Sequence, residues 1–252
     1  WTLLLGTPII LFVKQLGANA LQVGLVLAFF RGLMVLQLFG ARFAETFGYR
    51  RMLILGWFLR GVIACVIAYL ALVSPGIAPG TAVTLVLALL FLFNSARCFS
   101  LVSWIPWISM IIPKKLRGRF FALRGSIIEA VGIISCFMIA LILGADPDSG
   151  RFALLFFISA GAAIIGAIFL IRSPGGELKE KKEQLKLPFI YALKKTLEQK
   201  TFIRYIFFEV LFWCGWVAFA GFSIVFARDV LAFNADSVVY LVLFRNAGAI
   251  LS

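Results

Sequence analysis

Histidine is absent from this sequence of 252 residues, and charged residues make up only 14% of it. Without histidine the chain lacks the commonest metal ligand and general base, and no HxxxxD, DxD or metal-ligand spacing replaces it. The four cysteines form no CxxC pair and lie inside apolar runs, where inert buried thiols are expected. We therefore expect no cofactor, no metal site and no enzymatic activity.

Hydrophobic residues make up 63% of the chain, whereas about 45–50% is usual for soluble domains. Apolar runs of about 20 residues recur, and each is long enough to cross the roughly 30 Å hydrocarbon core of a bilayer. The pattern predicts an all-α polytopic membrane protein with eight membrane segments. Their predicted ranges are 1–16, 21–40, 52–73, 82–111, 119–143, 152–172, 202–227 and 237–252.

Trp1 and Ser252 both lie within apolar stretches. We therefore expect a fragment that begins and ends inside membrane helices. The net charge of +13 would suggest nucleic-acid binding in a soluble protein, but here the positions of the charges matter more than their sum. We expect no nucleic-acid partner.

Lys and Arg alternate between the two sides of the predicted topology. One set of links holds Arg42, Arg50, Arg51, Lys114, Lys115, Arg117, Arg119, Arg172, Lys179, Lys181, Lys182, Lys186, Lys194, Lys195 and Lys200. The opposite links hold only Lys14, Arg151 and Arg228. Because cytoplasmic loops are enriched in Lys and Arg, the long link 173–201 is predicted to be cytoplasmic, in a protein of the cell (inner) membrane.

Within the long link, Phe189, Ile190, Leu193 and Leu197 recur near helical spacing, with lysines between them. This pattern fits a short helix on the membrane surface or a plain solvated linker.

Two parts of the chain resemble each other, namely 12–31 and 226–245. Each is the first hairpin of a predicted half, which favours two related halves of six helices. The predicted domains are a six-helix bundle over 1–172, a basic linker over 173–201 and the start of a second bundle over 202–252. The aligned pairs are Phe12 with Phe226, Lys14 with Arg228, Phe30 with Phe244 and Arg31 with Arg245.

The segment GARFAETFGYRR, residues 40–51, places three basic residues and one acidic residue in a predicted turn between two membrane segments. Together with the residues that follow, it resembles the signature GxLaDrxGrkxxl of the major facilitator superfamily. Ala41 replaces the first glycine, and Thr46 and Tyr49 replace two basic residues, whereas Glu45, Gly48 and Arg50 keep the pattern of carboxylate, glycine and arginine.

This resemblance implies an MFS-type fold of twelve helices, of which the chain would cover helices 1–8. It also implies that Ala41, Glu45, Gly48, Arg50 and Arg51 form a gate. Glu45 would cap backbone N–H groups, and the two arginines would pair with carboxylates or helix C-termini. In the family the partner helix belongs to the second half, beyond residue 252. The alternative is that these charges only set the topology.

Arg97 lies inside the fourth segment, on a polar and aromatic face with Asn94, Trp104 and Trp107. Charged residues at bilayer depth cost at least about 2.5–3.5 kcal/mol and are functional candidates. Arg97 is therefore predicted either to bind substrate or a carboxylate, or to form a structural ion pair. Pro106 is expected to kink this helix.

Two carboxylates are further candidates within the membrane. Glu129 could carry a proton, or it could be the counter-ion of Arg97 or Arg31. Glu209 shares a face with Trp213 and Trp216, which suits a sugar or an organic cation, although an aromatic-rich helix needs no such role.

Arg31 and Arg245 occupy matching places in the two similar hairpins, and paired arginines would favour an anionic substrate. Arg60 and Arg124 are expected to snorkel to the nearer membrane surface and to have no functional role.

These observations predict a secondary active transporter that moves a small solute, either a sugar or an organic anion, by alternating access. Its expected partners are that solute, a coupling ion (H⁺ or Na⁺) and the lipid bilayer, and the protein is expected to be monomeric. The alternatives are a transport-incompetent sensor or scaffold and a membrane-embedded transferase.

Overall fold

The computed structural model describes residues 1–144, 146–173 and 198–233. These residues form α-helices joined by short turns, without a β-strand, which confirms the all-α prediction. The eighth predicted segment, most of the long link and Arg245 lie outside the described residues. The helices are α1 (Thr7–Gln15), α2 (Ala20–Gly32), α3 (Gln37–Phe47), α4 (Tyr49–Val73), α5 (Pro79–Leu101), α6 (Trp104–Ile111), α7 (Arg117–Leu143), α8 (Ser149–Arg172) and α9 (Lys200–Asp229).

Helical stretches long and apolar enough to cross a membrane recur in the described part of the chain. Much of their outer surface carries exposed apolar side chains, such as Leu141 and Phe169. In water such a surface would be unfavourable, whereas lipid tails cover it without cost. The five stretches are Ala20–Phe47, Tyr49–Gly76, Pro79–Ile111, Lys114–Leu143 and Ser149–Arg172.

Two of these stretches are interrupted. Helices α2 and α3 are separated by a 3-10 turn at Leu33–Leu36, directly after Arg31 and Gly32. Helices α5 and α6 are separated at Val102 and Ser103. Pro106 explains the second break, because its ring has no N–H and collides with the carbonyl four residues earlier, which is that of Val102. The expected kink is thus present.

The charged turn predicted over 40–51 is much shorter than expected. Helix α3 continues through Ala41 and Glu45 to Phe47, and the reversal is made by Gly48 alone, with φ of 92°. Because residues 41–47 contain no glycine or proline, nothing interrupts the helix before Gly48. The left-handed φ at Gly48 is strained for any residue with a Cβ atom. We call this side of the bundle the Gly48 end.

Helix α1 lies inside the bundle, and its residues from Ile9 to Val13 are almost completely buried. Phe12 packs against Phe152 and Phe156 of α8, with ring centres 5.3 and 5.6 Å apart. Helix α4 makes its most extensive contacts with α8 and then with α5. The core of the described bundle is therefore built mainly from α1, α4, α5 and α8, and α2 and α7 contribute further buried residues.

Small residues allow α4 to approach its neighbours closely. A Cβ atom at Gly56 would lie 2.1 Å from Cβ of Ser100 on α5, so no side chain fits there. Close approach at small residues is typical of membrane helices, where lipid-facing surfaces provide no hydrophobic driving force for association. The crossing at Gly56 fixes which turns of α4 and α5 lie beside each other.

Candidate functional site

Arg60 is buried in the middle of the bundle, with 6% of its surface exposed. Its guanidinium carbon lies 5.0 Å from the ring centre of Trp1 and 4.9 Å from that of Trp57. Its Nε donates a hydrogen bond of 3.1 Å to the carbonyl of Gly56. The expectation that Arg60 snorkels is wrong. Arg60 follows Tyr49 by three turns, about 16 Å along α4. It lies beside Trp1, in the segment before α1, and beside Trp57 of α4 itself.

Arg97 is half-buried on α5 and reaches α2. Its Nη1 donates to Oδ1 of Asn94 at 3.2 Å and to the carbonyl of Phe30 at 3.4 Å. Its guanidinium carbon lies 4.0 Å from the ring centre of Phe30. Asn94 is itself buried and donates to the carbonyl of Leu90, so its side chain is held in place. The structure thus brings the predicted residues Asn94 and Arg97 together.

Arg31 lies at the end of α2 and contacts α9. Its guanidinium carbon is 3.8 Å from the ring centre of Trp213 and 5.4 Å from that of Phe30. The indole Nε1 of Trp213 donates a 2.7 Å hydrogen bond to Oε2 of Glu209. The predicted residues Arg31, Trp213 and Glu209 are therefore joined in one chain of contacts, from guanidinium to indole to carboxylate.

The three arginines form one group, which we call the arginine cluster (Arg31, Arg60 and Arg97). The charge of Arg97 repels those of both other members. Among the residues that the structure describes, no carboxylate forms an ion pair with any member. The cluster is therefore a concentration of positive charge inside the bundle, and sequence reasoning missed Arg60 as a member.

The hydrogen-bonding groups of the cluster are only partly used within the described ranges. Arg31 has a buried Nε without a hydrogen-bond partner there. Aromatic rings lie against the guanidinium groups of all three arginines. Arg31 is covered by Trp213, Arg97 by Phe30, and Arg60 by Trp1 and Trp57. A guanidinium whose faces are covered can still bind an oxyanion through its N–H edge.

Other predicted residues lie apart from these contacts. Trp104 is the first residue of α6, after the break at Val102 and Ser103. Its ring centre lies 5.9 Å from that of Trp107 and 5.1 Å from the guanidinium carbon of Arg124. Glu129 is half-buried on α7, and within the described ranges it forms no ion pair with Arg31 or Arg97. Trp216 is exposed, and no described side chain stacks on its rings.

At the Gly48 end, Arg50 donates from Nη2 to the carbonyl of Ile171, in the last turn of α8. The resemblance implied a partner in the second half, whereas this partner belongs to the sixth predicted segment. Glu45 and Arg51 are exposed and have neither a hydrogen bond nor an ion pair to another described residue. Of the interactions predicted for the gate, the described residues show one, the hydrogen bond from Arg50 to the C-terminal turn of α8.

Several helices that are long and apolar enough to cross a membrane define an integral, multi-pass helical membrane protein. The family model of the Major Facilitator Superfamily matches residues 1–252, so the chain belongs to that family. Membership, expected from the resemblance at Gly48, is thereby confirmed. Members of the family are generally membrane transporters rather than enzymes. No curated protein and no solved structure matches the chain.

Proposed function

We propose that this protein is a secondary active transporter that moves a small anionic solute across the membrane by alternating access. The arginine cluster is the observation that carries the proposal. Each charge inside the membrane costs at least about 2.5–3.5 kcal/mol, so three arginines without a carboxylate partner among the described residues require a compensating function. An anionic solute supplies the missing charge.

The cluster favours an anion over the sugar and the organic cation that the sequence also suggested. A neutral sugar would leave all three positive charges uncompensated, and a cation would be repelled by them. Glu209, the carboxylate expected to suit a cation, accepts a hydrogen bond from Trp213. The charge of the site therefore matches one class among the candidate solutes.

In the proposed mechanism, Arg97 and Arg31 bind the anion through their free N–H groups. Arg97 is oriented by Asn94 and by the carbonyl of Phe30. Arg31 is covered on one face by Trp213 of α9, which belongs to the predicted second half. An anion that draws Arg31 toward Arg97 would weaken this contact, and the two halves could then move relative to each other.

Glu209 is the better placed of the two predicted coupling carboxylates. Its Oε2 accepts from Trp213, whose ring in turn holds Arg31, whereas Glu129 has no such connection among the described residues. Protonation of Glu209 would weaken its hydrogen bond to the indole, because ionised acceptors form the stronger bonds. Proton binding and anion binding would thus act on the same contact between α2 and α9.

The Gly48 end is proposed to face the cytoplasm of a cell whose inner membrane holds the protein. The excess of Lys and Arg in the links on that side supports this orientation. The contact of Arg50 with α8 is proposed to stabilise this end of the bundle in one conformation. Such surface contacts are weak, about 1 kcal/mol or less, which suits a structure that must open.

Uptake into proteoliposomes by the full-length protein tests the proposal. Labelled carboxylates, inorganic phosphate and glucose should be compared with and without a pH gradient across the membrane. We expect uptake of at least one anion, faster with the gradient, and no uptake of glucose. The absence of uptake for every solute under both conditions would contradict transport and favour the sensor or scaffold alternative.

A further inference from the structure

We infer that Arg60 is a third ligand of the transported solute, and that this solute carries at least two negative charges on oxygen atoms. The inference rests on the proposed transport of an anion. Dicarboxylates and phosphate esters share the required chemistry, and the experiment below distinguishes them.

The environment of Arg60 leaves one direction open for a ligand. Trp1 and Trp57 lie against its guanidinium, and Nε is engaged by the carbonyl of Gly56. The two terminal nitrogens form no hydrogen bond to a described residue, and neither of them is completely enclosed by other atoms. They therefore present a pair of N–H donors, which is the geometry that binds a carboxylate or phosphate group.

Arg60 and Arg97 lie at the same depth in the membrane. Helices α4 and α5 are joined by a short turn and pack together, so they run in opposite directions. They cross where Gly56 meets Ser100. Arg60 is four residues after Gly56, about 6 Å along α4, and Arg97 is three residues before Ser100, about 4.5 Å along α5 in the same spatial direction.

Arg31 joins this level through direct contacts. Phe30, its neighbour in the chain, accepts a hydrogen bond from Arg97, and the Phe30 ring lies 4.0 Å from the guanidinium carbon of Arg97 and 5.4 Å from that of Arg31. Three helices thus each place one arginine in a single layer. The layer carries three positive charges, and a solute with one negative charge would leave two of them unneutralised.

A purely structural role for Arg60 makes a different prediction. In that case its contacts with the two indoles would only hold the segment before α1 against α4, and its replacement would lower stability without changing solute preference. Arg124 offers a matched control, because its guanidinium also lies over an indole, that of Trp104 at 5.1 Å, but outside the arginine cluster.

The test compares solutes of different charge on the purified full-length protein in detergent, and propionate and malonate form a pair with the same three-carbon skeleton. Thermal stabilisation is measured with propionate, malonate, inorganic phosphate and glycerol 3-phosphate. For the wild type we expect at least one dianion to bind at least about tenfold more tightly than propionate. Tighter binding of malonate than of glycerol 3-phosphate identifies a dicarboxylate as the solute, and the reverse order identifies a phosphate ester. Arg60→Gln should lower that ratio at least about fivefold, since only two of the three arginines remain, while propionate affinity stays nearly the same. Arg124→Gln should leave the ratio unchanged.

A wild-type protein that binds propionate as tightly as the dianions would overturn the inference and leave anion transport intact. An Arg60→Gln variant with the wild-type ratio would overturn it as well. If that variant does not fold, Arg60→Lys keeps the charge but not the paired donors, and we expect it to reduce the ratio at least threefold. Absence of binding and uptake for every anion would instead show that the proposed function itself is wrong.

Discussion

Arginines in two regions of this molecule have different surroundings. Arg50 and Arg117 at the Gly48 end donate to carbonyls in the last turns of helices, Arg50 to Ile171 and Arg117 to Ser109 and Ile112. In the arginine cluster, the guanidinium groups lie against aromatic rings. The first arrangement uses the positive charge to stabilise helix ends, and the second leaves positive charge available for a ligand.

The two groups of arginines differ in the acceptors around them, and not in residue type. At helix ends the unpaired carbonyls supply hydrogen-bond acceptors that the helix itself cannot satisfy. In the middle of a helix each carbonyl already accepts a backbone hydrogen bond, so a guanidinium there, with five N–H donors, needs further acceptors from a side chain, a helix break or a ligand. Arg97 uses a side chain, that of Asn94, and a carbonyl beside the α2 break, that of Phe30.

The largest expected effect comes from the centre of the cluster. Arg97→Gln should reduce anion uptake about a hundredfold, because truncating one partner of a buried charge pair costs about 2–5 kcal/mol. Uptake into proteoliposomes measures the effect, and size-exclusion chromatography confirms that the variant is folded. Arg117→Gln is the matched variant from the Gly48 end and should retain uptake within a factor of three. Equal losses in both variants would remove the distinction between the regions.

The second prediction concerns the helix crossing that aligns Arg60 with Arg97. Gly56→Ala places a Cβ atom 2.1 Å from Cβ of Ser100, so the helices must separate. Overpacking of this kind costs about 1–3 kcal/mol, and thermal unfolding in detergent measures the loss. Gly24→Ala is the control, because a Cβ atom at that mid-helix glycine meets nothing within 4 Å. Adding Ser100→Gly to Gly56→Ala should restore stability and uptake.

The sequence was sufficient to predict the membrane class and the family, and each of the seven predicted segments within the described residues coincides largely with helix, because apolar length, charge asymmetry and a short motif are local properties. It could not predict that Arg60 is buried, because hydropathy alone does not separate Arg60 from Arg124. The burial of Arg60 depends on how α4 packs against the rest of the bundle. The sequence also could not show that Trp213 would lie over Arg31, since that contact joins residues far apart in the chain. The length of α3 was misjudged because charge was taken as evidence of a turn.

The third prediction concerns the contact between Arg31 and α9. Trp213→Leu removes both the ring over Arg31 and the donor to Glu209. Because anion binding is proposed to weaken this contact, its loss should lower the KM for anion uptake about two- to fivefold, as expected for a partly exposed cation–π contact of about 0.5–1 kcal/mol. Trp213→Phe keeps a ring and loses only the N–H group, so its KM should fall less. A Trp213→Phe variant whose KM falls as far as that of Trp213→Leu would show that the hydrogen bond to Glu209, and not the ring, holds Arg31.

The smallest effect is expected at the Gly48 end itself. Arg50→Gln removes the donor to the carbonyl of Ile171 and should lower stability by about 0.3–1 kcal/mol, since the contact lies at a helix C-terminus near the membrane surface. For a chain of this size that corresponds to a fall in Tm of about 1–4 °C. Arg51→Gln, at an exposed neighbour without a hydrogen bond to the described residues, should leave Tm unchanged.

Uptake then decides what the Arg50 contact means for transport. If it only caps α8, Arg50→Gln should transport anions at nearly the wild-type rate despite its lower Tm. If it stabilises one conformation of the bundle, the variant should show an altered maximal rate with an unchanged KM, because the solute contacts are intact while the conformational equilibrium shifts. A raised KM would place Arg50 with the solute-binding arginines, and the contrast between helix-end and mid-membrane arginines would then fail.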